Sequence, residues 1–111
     1  MHRLTAKTLP VLMRRPETSV VLFGDPVGVA MMEQAQEFAH CWYARQGEAA
    51  FGYADAIECA DALADLRIRR LPTTLVLNGG EIVARLEGVC SSMRIGRQID
   101  AAGVMIDRLA G

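Results

Sequence analysis

Long apolar runs are missing from this 111-residue chain: 51% of its residues are apolar, yet no run approaches the roughly 20 residues of a membrane-spanning helix. Its polar start, Met1-His2-Arg3-Leu4-Thr5, has no secretory apolar segment, so the expected location is the cytoplasm and no membrane partner is expected. An excess of either charge is also missing, since 12 basic and 13 acidic side chains leave a net charge of -1. Coating a phosphate backbone takes a broad positive field, so nucleic acid is not an expected partner. Lysine is reduced to Lys7 beside 11 arginines, which decides nothing about function.

Cysteine is scarce and scattered. Cys41, Cys59 and Cys90 are odd in number, form no C-x-x-C and have no His at ligand spacing. A zinc site or a redox dithiol of local origin is excluded, and no metal or other cofactor is expected. His40 beside Cys41 is not a catalytic pair, because adjacent residues on a helix point about 100° apart. A free Cys behaves as a small buried hydrophobe, which is the expectation for all three.

What the chain does have is alternation. A domain of this size buries roughly two thirds of the surface its unfolded chain exposes, so residues 1–111 are expected to form one α/β domain that needs no staple. Ser19 to Phe23 reads as a buried, central strand stopped by Gly24-Asp25-Pro26. Before it, Thr5 is placed to cap a short helix with Leu9, Leu12 and Met13 on one face and Pro10 in its first turns. After it, Met31, Ala35, Phe38 and Trp42 predict the apolar face of a helix, with Glu33, Gln34, Glu37 and His40 on the other side. Ala49 to Ala54 predicts a weaker strand, and Cys59, Ala62, Leu63 and Leu66 the inner face of a short helix whose Asp61 and Asp65 are solvated. Leu71 to Leu77 leads into Asn78-Gly79-Gly80, a dense hairpin signal. On the return strand Ile82, Ala84 and Leu86 are expected on one side, with Val83, Arg85 and Glu87 on the other. Gly88 breaks that strand. Ser91 or Ser92 then caps a last helix with the stripe Ile95, Ile99, Ala102, Ile106 and Leu109, weakened by Gly96 and Gly103.

This order of elements resembles the thioredoxin fold. The motifs sharpen the resemblance. Arg67-Ile68-Arg69-Arg70-Leu71-Pro72-Thr73-Thr74-Leu75 is similar to the thioredoxin stretch in which an Ile-Arg pair leads to an apolar-Pro-Thr segment, and Asn78-Gly79-Gly80-Glu81 to its Asn-Gly-Glu hairpin. The implied architecture is a central mixed β-sheet flanked by helices, with a cis proline, Pro72, before a C-terminal β-hairpin. In the same register the family's Cys-Gly-Pro-Cys falls on Gly28, Val29, Ala30 and Met31, its preceding Trp on Val27 and its buried acid on Leu22. Thiol–disulfide exchange needs an attacking thiolate and a resolving thiol, and these positions supply neither. No catalytic residue and no enzymatic activity are therefore expected.

The function expected is binding of another protein, as chaperone or assembly factor. The resemblance implies that the partner, an extended segment, meets Val27, Gly28, Val29, Leu71 and Pro72, with Arg70 at a basic edge. A further, shorter resemblance, through Val21-Leu22-Phe23-Gly24-Asp25-Pro26, Pro72-Thr73-Thr74-Leu75-Val76 and Gly79-Gly80, is to the bacterial hydrogenase expression and formation accessory proteins. It implies a chaperone for a hydrogenase subunit. The competing expectation is a thiol-dependent oxidoreductase using Cys41, Cys59 or Cys90 in a non-standard place, which requires an exposed thiol of lowered pKa.

Overall fold

The structure, a computed structural model, describes residues 1–110, with side chains up to Gly103. In chain order it runs β1 (His2–Leu4), α1 (Thr8–Met13), β2 (Thr18–Gly24), α2 (Val29–Ala44), β3 (Ala50–Asp55), α3 (Ala60–Asp65), β4 (Thr73–Asn78), β5 (Glu81–Glu87) and α4 (Ser92–Ala110). The strands form one mixed sheet in the order β1-β3-β2-β4-β5. β1 and β2 lie parallel to β3, while β4 is antiparallel to both β2 and β5. This is the architecture of the thioredoxin fold, and the Leu71–Pro72 peptide ahead of β4 is cis.

Period-two alternation along β2 explains the two cores. Val20 and Leu22 point to the layer of α2 and α4, where they meet Phe38, Cys41, Ile95, Ile99 and Ala102. Val21 and Phe23 point to the layer of α1 and α3, against Leu9, Leu12, Cys59 and the half-buried Leu63 and Leu66. Both faces of β2 are covered, which is why its sequence is a continuous apolar run rather than an alternating one. Each such side chain contributes about 2 kcal/mol by leaving water. Thr5 caps the α1 region as expected, its hydroxyl accepting the Lys7 and Thr8 N–H groups. Asp61 and Asp65 are exposed. Of the stripe expected on α4, Ile95, Ile99 and Ala102 are buried, while Ile106 and Leu109 lie outside the described side chains.

Two expectations are corrected. The fully buried residues of α2 are Gln34, Phe38 and Cys41; of the face expected, Phe38 is buried and Met31 and Trp42 are half-buried against the same core, but Ala35 is exposed. Gln34 can be buried because both ends of its amide find a partner: Nε2 donates to the Cys90 carbonyl at 3.2 Å, and Oε1 accepts the Cys90 N–H at 2.6 Å. The return strand does not alternate simply either. Val76 pairs with Ala84 but Leu77 with Ile82, so Val83 is the extra residue of a β-bulge. The bulge turns Ile82 to the α1/α3 layer and leaves Val83, Ala84 and Leu86 on the α2/α4 layer.

Candidate functional site

Strand register decides which loops meet. Phe23 pairs with Ala54 in parallel and with Thr73 antiparallel, and Thr73 pairs with Glu87. The ends of β2, β3 and β5 and the beginning of β4 therefore share one end of the sheet. Four loops, after Gly24, after Asp55, before Thr73 and after Glu87, are gathered there.

Each loop is pinned by its own short-range bonds. The Asp25 carboxylate accepts the Val27 N–H at 3.1 Å, and the Asp55 carboxylate the Ile57 N–H at 2.7 Å. The Ala56 N–H reaches the Gly24 carbonyl at 2.9 Å and ties these two turns together. Gly28 opens α2 at φ +145°, a conformation that favours glycine. Across the site the Gly88 N–H donates to the Pro72 carbonyl at 2.8 Å. Gly88 has φ +77°, and a Cβ there would lie 3.4 Å from the Arg70 guanidinium, which rests against it. The following loop is held to α2 by Gln34 on Cys90 and by the Glu37 carboxylate, which accepts the Ser92 N–H at 3.1 Å. The Ser91 hydroxyl caps α4 by accepting the Arg94 N–H at 3.1 Å.

These turns hold apolar side chains outward. Val27 and Val29 are 79% and 72% exposed, and Leu71 is 36% exposed. Pro72, expected on the surface, is buried, and it supports the surface rather than lining it. Ile57 and Val89 are exposed at the same end and were not singled out from sequence. The signal that would have found them is topological: β3 runs parallel to β2, so the residues after Asp55 emerge beside those after Gly24, and β5 runs antiparallel to β4, so the residues after Glu87 emerge beside those before Thr73. Among the described residues, no backbone hydrogen bond uses the Leu71 N–H or C=O. Arg69 and Arg70 are exposed and form no ion pair with a described residue.

Behind this surface the first turn of α2 presents Gly28, Val29, Ala30 and Met31, and Leu22 is buried beneath it. Leu22, Met31, Phe38 and Tyr53 border an apolar cavity of about 330 Å³. The three thiols are all buried, that of Cys90 in the loop after β5 at this same end of the sheet. Burial pushes the Cys41 thiol up to about 11, and raises those of Cys59 and Cys90. Among the described residues there is no cluster of His, Cys, Asp and Glu that could hold a metal ion, and no helix is long and apolar enough to cross a membrane.

No protein-family model and no curated protein matches the sequence. Solved structures do match its fold. Chloroplastic thioredoxin z superposes with a TM-score of 0.83 at 21% identity, over 94% of this chain and 95% of that one. A chain from the structural study of thiol resolution in a yeast mitochondrial 1-Cys peroxiredoxin gives 0.80 at 15% identity, over 91% and 94%. Mitochondrial thioredoxin 3 of Saccharomyces cerevisiae, in its oxidised form, gives 0.79 at 15% identity, over 91% and 94%. The thioredoxin fold is thereby shown. The expectation of no enzymatic activity is corrected by the same neighbours, since thioredoxins and peroxiredoxins are oxidoreductases.

Proposed function

We propose that this thioredoxin-fold chain binds an extended segment of another protein across the loop end of its sheet. Leu71 carries the reading: an exposed residue whose N–H and C=O are both free of other backbone bonds, set among exposed Val27, Val29, Ile57 and Val89. A partner strand pairing with those two groups gains main-chain bonds, and its alternate side chains cover the apolar residues. Arg69 and Arg70 give the surface a basic edge suited to carboxylates. The short motifs that resemble those of the hydrogenase accessory proteins favour, as one such partner, a hydrogenase subunit awaiting assembly. Selection from a displayed peptide library is the test, with the Leu71→Asp and Arg70→Glu variants as controls. The reading requires extended sequences enriched on the parent protein and lost on both variants; equal enrichment on all three overturns it.

A second reading, a thiol oxidoreductase, is favoured by the fold neighbours. In this chain it must run through Cys41, Cys59 or Cys90, each of which has to become accessible first. Reduction of a disulfide substrate by the purified protein, abolished by replacing one of the three, would establish it.

A further inference from the structure

Positive charge is unevenly spread over this molecule. Residues 67–97 hold six arginines against Glu81 and Glu87, an excess of four positive charges in a chain whose net charge is -1. Ion pairs among the described residues involve Arg3, Arg15 and Arg45 only, so none of these six arginines has an ion-pair partner there. Two of the six flank the exposed Val89. On one side the Arg70 guanidinium rests against Gly88. On the other, Arg94 stands in the first turn of α4, close enough for its charge to act on the Cys90 thiol. The geometry of α4 agrees: Gly96 faces α2, where the Arg45 guanidinium crosses it, and Arg94, two residues earlier, projects from the opposite flank. Glu37 keeps its charge beside this loop, its carboxylate accepting the Ser92 N–H, but among the described residues neither it nor Glu87, at the end of β5, forms an ion pair with Arg70 or Arg94.

Resting on the binding reading above, we propose that the bound segment carries an acid-x-apolar-x-acid pattern and extends from Leu71 across Val89 to the first turn of α4. In an extended chain every second side chain faces the same way. The central apolar residue then covers Val89 and Leu71, while the flanking carboxylates meet Arg70 and Arg94 in charge-assisted hydrogen bonds. Arg94 is thus a specificity residue for the acid at one end of the segment.

The test is fluorescence anisotropy with a labelled peptide centred on Asp-Ser-Leu-Ser-Asp, the fold of each variant being checked by its melting temperature. Binding by the parent protein should weaken about tenfold for Arg94→Glu, an amount worth about 1.4 kcal/mol. Replacing one of the two Asp residues by Lys should restore binding to that variant, replacing the other should not, and the parent's affinity should fall as salt is added. Unchanged affinity for Arg94→Glu, or for a peptide with Ser in place of both Asp, overturns the pattern. If Leu71→Asp still abolishes binding in that case, the broader binding reading stands. A parent protein that binds no extended peptide overturns both.

Discussion

Cys41, Cys59 and Cys90 share a residue-level constraint: desolvation disfavours their thiolates, and a thiol is neutral only while protonated. A disulfide-exchanging reagent should therefore modify all three slowly in the native protein and fast in guanidinium; rapid native labelling of any one would show that its burial is not maintained. The same shift has a sign in pH. With the folded Cys41 near 11 and its ordinary value at 9.0, folding favours the protonated thiol, so its contribution is complete below pH 9 and is lost as pH rises through 11. The melting temperature should fall over that interval, and less steeply in Cys41→Ala, which is read from pH-dependent thermal melts. Gln34 is the other residue on which much depends. Gln34→Leu would leave the buried Cys90 N–H and carbonyl without their partner, an expected loss of about 3 kcal/mol in urea unfolding. Its role was not legible in the sequence, where a Gln between Glu33 and Glu37 reads as part of a wet face; only the packed β5–α4 loop supplies the matching backbone groups.

At the scale of elements, the two glycines expected to weaken α4 have different reasons to be there. A side chain at Gly96 would run into the Arg45 guanidinium, 2.8 Å from where its Cβ would stand, and so disturb the bidentate Arg45–Asp100 pair that joins the end of α2 to α4. Among the described residues, nothing lies within 4 Å of that position at Gly103. Gly103→Ala should therefore stabilise the protein by about 1 kcal/mol through helix propensity, and Gly96→Ala should not, as denaturant midpoints would report. Elements whose pattern comes from local chemistry were legible: the apolar run of β2, the Thr5 and Ser91 caps, and the Asn78-Gly79-Gly80 turn, where both glycines have positive φ. The bulge at Val83 was not, because period-two alternation says nothing of an extra residue, and it is the pairing with β4 that reveals it. The burial of Gln34 on α2 was not legible for the same kind of reason, a long-range hydrogen bond outweighing side-chain polarity.

Over the whole molecule, two apolar layers bury both faces of β2, and at the loop end of the sheet exposed apolar side chains coincide with arginines and Leu71 backbone groups that have no ion-pair or backbone partner among the described residues. Part of this site was legible, since Val27, Gly28, Val29, Arg70 and Leu71 all lie there. Ile57 and Val89 enter only through strand order, and Pro72 proves to be buried support. The most direct measurement is a nitrogen-15 NMR titration of the protein with an extended acidic-apolar peptide. Shift changes should centre on the Leu71 amide and spread to residues 27–29, 57 and 88–90. Saturable binding that moves amides on another face and leaves Leu71 unmoved would contradict the account.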